Sequence, residues 1–304
     1  TEVRKKNSSL NIALEQIKKI DSKLKSGKFQ FQDSTDQLRI IVNQLKSDLF
    51  DYKNESKSPW KIAGSWVQAR EIMPKKAPQL GFILNSLRSS PITFAGVSKK
   101  GTQLKLMLEL QGKQKALFKP MRYKRDEIIG GEAYAGADRH NGEIVAFHLS
   151  RLLNMPFVPI VTSRIVHVDN EIKKVASPSL LTTFLSKNNR SCFYGECYYC
   201  NEYDPVCSDE NGLLEGAIVM FLPLHYQLEK LRNPWQRTYK NGVLANWETN
   251  PLYCDYVMKR ISLKPRILDL IDVSVFDYLI GNADRHHYEV FKDVPNSMIL
   301  FLGE

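Results

Sequence analysis

Leu104, Leu106, Leu108 and Leu110 alternate with Lys105, Met107 and Glu109. A period of two puts the four leucines on one face of a strand and the other three residues on the opposite face. Gly112 offers a turn, and Lys115–Lys119 returns with Ala-Leu-Phe inside it. The pattern predicts a β-hairpin with one buried face, ended by Pro120. A polar, Gly-containing loop fills 121–140. Asn141–Asn154 then reads as a helix with Val145, Leu149 and Leu152 on one stripe and Pro156 as its stop. Residues 157–168 and 171–176 read as strand, and Glu215–Leu222 as an apolar strand after which Pro223 opens a helix. Leu252–Arg260 and Pro265–Ile280 read as mostly helical.

Strands therefore dominate before about residue 222 and helices after it, which is a two-lobed α+β arrangement with its boundary near Met220–Leu222. Ahead of the strands, Leu10, Leu14, Ile17 and Leu24, then Leu38, Ile41, Leu45 and Leu49, mark two helices separated by Ser26-Gly27. Neither sustains enough heptads for a coiled coil, so an arm packed on its own domain is favoured over a dimerisation hairpin. Residues 51–64, with Pro59 and Gly64, read as a linker. The expected division is a helical arm and linker over 1–84, a strand-rich N-lobe with a cysteine loop over 85–218, and a helical C-lobe over 219–304.

Over 304 residues, 43% hydrophobic and 25% charged content suits a globular protein and excludes a disordered chain or a coiled-coil rod. The net charge of +10 serves solubility or an anionic partner such as a nucleotide or an acidic glycan. Nucleic acid is not expected: the basic residues are scattered, with Lys75-Lys76 and Lys99-Lys100 as isolated pairs, and no finger, basic zipper or single-strand-binding signature occurs. No uncharged apolar run is long enough to cross a bilayer and no signal core follows Arg4, Lys5 and Lys6. The sequence reads as a mature or trimmed product whose membrane link would be a removed N-terminal anchor.

Four of the five cysteines fall in the pattern C-x4-C-x2-C-x6-C: Cys192, Cys197, Cys200 and Cys207. A C-x2-C pair can supply two zinc ligands, but a second spaced pair and an internal His are missing. The alternative, two short-range disulfides, implies an oxidising compartment and is favoured. Sequons at Asn7, Asn54 and Asn189 point the same way and mark candidate glycosylation sites. Cys254 is left over, either free or lacking a partner beyond residue 304.

The segment Phe276–Glu289 runs from an apolar helix through Gly281 into Asn282-Ala283-Asp284-Arg285-His286-His287-Tyr288-Glu289. Such a polar run is exposed or functional. Asp284, His286 and His287 could be metal ligands, although adjacent histidines point to different sides. The other reading is a kinase catalytic loop, with an Asp that takes the acceptor proton and a metal-binding side chain five residues later, here Asp284 and Glu289. Kinases also need a strand Lys over the phosphates and a helix Glu. Lys119 and Glu143 stand in that order. No G-x-G-x-x-G loop precedes Lys119; Gly96 and Gly101 flank Val97–Lys100 instead, and Gln103 follows.

Gly101–Lys105, Phe118-Lys119-Pro120, Asp138–Asn141, Ala146–Leu149, Cys192–Gly195 and Gly281–Glu289 together resemble the atypical kinases of the secretory pathway, the group of the Golgi casein kinase and the glycosaminoglycan xylosylkinase. The resemblance covers roughly residues 85–300. Arg122–Asp126, Gly131–Gly136 and the compact Cys197-Tyr198-Tyr199-Cys200 are similar to the xylosylkinase branch. It implies a two-lobed atypical protein-kinase-like fold and an ATP-dependent phosphotransferase of the Golgi lumen. ATP and Mn²⁺ (or Mg²⁺) would be the cofactors, and the acceptor would be the 2-hydroxyl of xylose in the Gal-Xyl linkage glycan of proteoglycans. A secreted-protein Ser kinase and a silent pseudokinase are the alternatives.

The roles implied are Asp284 as catalytic base, Lys119 on the phosphates, and Glu143 on the metal. Gln103, Glu289 and the hinge Val219, Met220, Phe221 and Leu222 would line the nucleotide. Tyr134 and Asp138 would stand by the acceptor. The implied disulfides are Cys192–Cys207 and Cys197–Cys200, and Cys254 would pair with a cysteine farther on. The alternative to a packed arm remains a homodimer or a heterodimer within the family through the N-terminal helices. The family has Asp-Asn after the apolar strand, where Met298–Leu302 is followed by Gly303-Glu304. The sequence as written is expected to be truncated or to have Gly303 in place of that metal-binding Asp.

Overall fold

The computed structural model describes residues 34–50, 57–98, 101–124, 127–131, 135–238, 240, 242–260, 266–294 and 296–301. Asn7, Asn54, Tyr134, Gly303 and the first of the two expected N-terminal helices lie outside the described residues. Among the described residues three helices come first, α1 (Ser34–Phe50), α2 (Pro59–Trp66) and α3 (Leu80–Ser89). Strands β1 (Ile92–Val97), β2 (Leu106–Leu110) and β3 (Gln114–Pro120) lead to α4 (His140–Leu152) and β4 (Val161–His167). Helix α5 (Pro178–Leu181) and strands β5 (Phe184–Lys187), β6 (Arg190–Phe193), β7 (Val206–Cys207), β8 (Leu213–Met220) and β9 (Leu228–Arg232) follow. The chain continues with α6 (Asn246–Thr249), α7 (Tyr253–Lys259), α8 (Ile267–Ile280) and β10 (His287–Phe291).

Five strands form one sheet in the order β1-β2-β3-β8-β4, with every neighbouring pair antiparallel. The four leucines are buried as expected, Leu104 just before β2 and Leu106, Leu108 and Leu110 on it, with Leu106 and Leu108 opposite Phe118 and Ala116 of β3, but Lys105, expected on the other face, is buried as well. Helices α3 and α4 pack against β4 and β8 and cover the sheet. The Cys loop makes a small sheet, β5-β6-β7, in which Cys192 and Cys207 sit directly opposite and are bonded; Cys197 is bonded to Cys200. The zinc alternative is thereby set aside. β9 and β10 pair separately.

Several local expectations change. Residues 59–64 are not linker: proline at the first helical position starts α2, Trp60, Ile62 and Ala63 are buried, and the Trp60 indole N–H donates to the Gln111 carbonyl at 2.9 Å. The break expected at 84/85 falls inside α3, and that at 218/219 inside β8, whose ladders to β3 and β4 run across it. Residues 168–175 form π and 3-10 turns, because Glu171 accepts the His167 amide at 2.8 Å and pairs with buried Arg164 at 3.0 Å, which curls the chain off β4. Pro223 opens a turn rather than a helix, since the chain enters β9 at Leu228.

The stripe expected on α4 is also turned. Val145 and Leu152 are exposed, and the buried face carries His140, Phe147, Ser150 and Arg151. Internal partners make that face tolerable, as Ser150 donates to the Phe147 carbonyl at 2.8 Å and Arg151 is bonded to α1. On α1 itself Leu38 and Ile41 are exposed, whereas Leu45 and Leu49 are partly covered.

The turn after α2 joins the segment ahead of β4 to α8 and the last strand-like segment. Ile72 donates to Pro156 O at 3.1 Å, Met298 to Ala69 O at 2.8 Å and Phe301 to Phe157 O at 2.9 Å. Arg70 grips Asp269 of α8 with Nη1 and Nη2, at 2.8 and 2.7 Å.

Candidate active site

Lys119 lies near the end of β3, in the middle of the sheet, and its side chain is 6% exposed. An ammonium in that position needs counter-charge. Glu143, in the first turn of α4, places Oε1 2.5 Å from Lys119 Nζ, and Asp138, in the loop leading into that helix, places Oδ2 at 3.6 Å. Burial alone pushes the ammonium's pKa down, but the charges of Glu143 and Asp138 outweigh it and hold the pKa above the ordinary lysine value. Lys119 is a fixed cation at neutral pH. Buried His140 begins α4 and meets the Glu215 carboxylate of β8 at 3.3 Å, which ties the Glu143 end of the helix to the sheet.

Helix α8 supplies the second half. It ends at Gly281, whose left-handed backbone (φ 71°, ψ 25°) lets the Asn282 amide close on the Asp277 carbonyl at 2.8 Å. The Asp277 carboxylate then accepts from Asn282 Nδ2, Arg285 Nε and Arg285 Nη2, each at 2.9 Å. Asn282 Oδ1 accepts the Asp284 amide at 3.1 Å. From the other side Asn233 donates its amide to His286 O at 2.9 Å and its Nδ2 to Arg285 O at 3.1 Å. On this braced loop the Asp284 carboxylate stays 53% exposed, 3.2 Å from His286 Nε2. An accessible carboxylate on a fixed loop is what a general base requires.

The remaining expected residues are placed as follows. Val219 and Met220 end β8 in the core; Phe221 and Leu222 follow it and line a crevice with Pro223, Ala63, Val67, Ile72 and Ile160. Gln103 sits half-buried in the loop before β2, next to Thr102, whose carbonyl accepts the Tyr199 amide of the disulfide loop at 3.3 Å. Glu289 lies on β10 opposite Lys230, and its carbonyl accepts the Leu300 amide at 2.9 Å. Asp138, expected beside the acceptor, stands 3.6 Å from Lys119 with its side chain 45% exposed. Asn189 is exposed at the tip of the β5–β6 hairpin, where Asn188 and Asn189 both take positive φ. Cys254 is an exposed free thiol on α7.

Asp284, His286 and His287 do not form a metal cluster: among the described residues no three His, Cys, Asp or Glu side chains converge. His286 turns to Asp284, while His287 starts β10 opposite Arg232. Glu143 and Asp138 do offer hard oxygen donors beside the lysine that would hold phosphates. That set suits a divalent cation shared between one or two carboxylates and a nucleotide. The sequence reading overlooked Asp277, Asn233 and His140. Asp277 carried a signal, because a lone acid between Phe276 and Tyr278 in an apolar helix needs a cation.

A sheet lysine paired to a helix glutamate, ahead of a helix-capped Asp loop, is the arrangement of a kinase. The chain belongs to the family described as Golgi casein kinase, C-terminal, Fam20, whose family model matches residues 58–304. It is 50% identical over 247 residues to the glycosaminoglycan xylosylkinase of Homo sapiens, covering 81% of this chain and 60% of that protein. The Danio rerio xylosylkinase gives the same identity and coverage. The extracellular serine/threonine protein kinase FAM20C of Homo sapiens is 39% identical over 239 residues, covering 76% of this chain and 41% of that protein. The chain thus spans about three-fifths of the length of the xylosylkinases it matches. Among solved structures, hydra Fam20 with sugar aligns at TM-score 0.78 and 42% identity, covering 82% of this chain and 72% of that one. The Golgi casein kinase with Mn/ADP bound aligns at TM-score 0.76 and 28% identity, covering 91% and 70%.

Proposed function

We propose that this chain is the catalytic core of an ATP-dependent glycan kinase acting on the 2-hydroxyl of xylose in the proteoglycan linkage region. The observation that carries the reading is buried Lys119 held by Glu143 at 2.5 Å in the middle of the sheet. Lys119 fixes and neutralises nucleotide phosphates. Asp284 takes the proton from the acceptor hydroxyl as that oxygen bonds to the γ-phosphorus. The bond from γ-phosphorus to the β–γ bridging oxygen breaks, and ADP leaves. Glu143 and Asp138 would hold Mn²⁺ or Mg²⁺ with the phosphates, and the cation would offset their developing charge. Gln103 and the hinge Val219–Leu222 line the nucleotide, with Glu289 nearby.

Identity to named xylosylkinases exceeds that to FAM20C, which supports a sugar acceptor over a protein one. The two disulfides support the lumen of the secretory pathway, with the Golgi as the site of action. Exposed Leu38, Ile40 and Ile41 on α1 support pairing with a second copy or a family member through the arm. The test is incubation with labelled ATP and Mn²⁺ and either a Gal-Xyl disaccharide or casein. Label on the disaccharide, lost in Lys119→Met and Asp284→Asn, is expected. Label on casein with none on the disaccharide would make this a protein kinase.

A further inference from the structure

The helix that carries Glu143 is held at its far end by α1, which lies ahead of residue 58, where the family match begins. Arg151, in the last turn of α4, sends Nη2 to the Leu45 carbonyl of α1 at 3.0 Å, and the same nitrogen lies 3.5 Å from Asp48 Oδ2. Both side chains are 3% exposed. Asp48 also accepts from Gln44 Nε2 at 3.1 Å and from the Ala77 amide at 3.4 Å, and the guanidinium lies 6.0 Å from the Phe147 ring. Two ions buried in this way are costly to desolvate, and losing either one leaves the other uncompensated. Apolar residues would cover α4 at lower cost, so an ion pair at this point selects one position of the helix.

We propose that α1 is a clamp on the Glu143 helix: the Arg151–Asp48 contact sets how α4 lies on the sheet, and thereby whether Glu143 reaches Lys119. Arg151 and Asp48 are positioning residues for the lysine–glutamate pair, and their catalytic meaning rests on the kinase reading above. Glu143 and Arg151 are separated by about 12 Å along the helix axis. A tilt of about 5° about the Arg151 end carries Glu143 about 1 Å, and a misplacement of that size costs about 10²-fold in rate. The clamp comes from a segment about a hundred residues upstream, so whatever moves α1 moves the site.

The test uses Arg151→Met, which keeps bulk and removes charge, and Arg151→Lys. Both contacts of Arg151 run through one nitrogen, so a lysine ammonium can take its place. Asp48→Asn, nearly isosteric, serves if Arg151→Met does not fold. Hydrogen exchange of the full chain is followed by mass spectrometry, and Mn²⁺·ADP affinity by calorimetry at a temperature where circular dichroism shows a folded protein. With Arg151→Met, amides 140–147 should exchange about tenfold faster while those of β2, β3 and β8 hold their rates. Mn²⁺·ADP affinity should fall about tenfold, and Arg151→Lys should restore both to within about threefold. Exchange that is unchanged at 140–147, or faster throughout the sheet, overturns the clamp, as does a lysine variant that behaves like methionine. Failure of the wild type to bind Mn²⁺·ADP would sink the kinase reading and leave the exchange data to decide the clamp.

Discussion

Asp277→Ala is the substitution whose consequences the site defines most sharply. Asp277 is 8% exposed and its partner Arg285 is 10% exposed, so their charges face each other largely out of water. The carboxylate takes two bonds from Arg285 and one from Asn282, each at 2.9 Å. Alanine deletes all three and leaves the guanidinium buried beside an apolar helix end. Breaking a buried pair from one side costs about 3–5 kcal/mol, against about 0–1 kcal/mol for a surface pair. At about 2 °C per kcal/mol for a chain of this size, the melting temperature should fall by roughly 6–10 °C. Asparagine should do little better. Its oxygen can serve Asn282 and Arg285 Nη2, but its NH₂ then faces the Arg285 Nε donor.

Rate should fall further than stability explains, because Asn282 and Arg285 fix the backbone on both sides of Asp284. A shift of about 1 Å there costs about 10²-fold in turnover. The assay is thermal melting of Asp277→Ala, Asp277→Asn and the double variant Asp277→Leu/Arg285→Met, with phosphotransfer measured below every melting transition. The double variant removes both charges, so it should recover most of the melting loss and none of the turnover. A single alanine variant melting within about 1 °C of wild type, at about 2 °C per kcal/mol, would refute the buried-pair argument. A double variant with wild-type turnover would refute the bracing argument.

Three further predictions rest on separate features. Replacing Cys192 and Cys207 together by serine opens a loop of sequence separation 15, worth about 3 kcal/mol by loop entropy, and should lower the denaturation midpoint and weaken nucleotide binding through the loop at Thr102; unchanged melting and affinity would contradict it. Burial, aided by the charge of Arg151, holds the His148 pKa below the ordinary value. The unfolded chain therefore binds the proton first, so the stabilisation is full above about pH 6.5 and is lost as pH falls through the folded-state value; His148→Gln should flatten the stability profile between about pH 7 and 5, and an equal slope in the variant would remove the cause. A Cβ on Gly216 would lie 2.5 Å from the Phe118 ring and 2.6 Å from the Lys119 carbonyl, whereas one on Gly281 meets nothing within 4 Å. Gly216→Ala should therefore cost about 3 kcal/mol and displace the lysine, and Gly281→Ala only the left-handed backbone term of about 1–2 kcal/mol; denaturant titration showing the reverse order would be decisive against this account.

The elements legible in the sequence are those whose burial is one-sided and apolar. The leucines of β2 announce their strand because water lies on one side and the core on the other, and the Ile267–Ile280 helix announces itself by apolar length. The stripe on α4 misled for the opposite reason. Its buried face includes Ser150 and Arg151, and a hydropathy pattern charges these residues the full cost of leaving water. For Ser150 the Phe147 carbonyl removes much of that cost; for Arg151 Asp48 and the Leu45 carbonyl do so from about a hundred residues away, and no local period can register such partners. The linker reading failed similarly over 59–64: Pro59 punctuates the sequence, yet at the first helical position it starts a helix, and the polar atom of Trp60 finds its acceptor across the hairpin at Gln111.

Lys119, Glu143 and Asp284 were visible because charge at the end of a strand or helix invites a chemical question. What holds them was less visible, and α8 shows why. Two acids, Asp269 and Asp277, are buried within this apolar helix, one near each end. Each must find a cation, and the two cations come from opposite directions in the chain: Arg70 from the turn after α2 and Arg285 from the loop that follows. The first pair anchors the start of α8 to the segment that also holds Met298, and the second anchors its end to the Asp284 loop. Arg70 is 53% exposed and its pair is softened by solvent, while Arg285 is enclosed. The stiffer joint is therefore the one beside Asp284. A buried acid in an apolar helix is a demand for a cation from outside that helix, and here that demand locates the support of the Asp284 loop as well as of the fold.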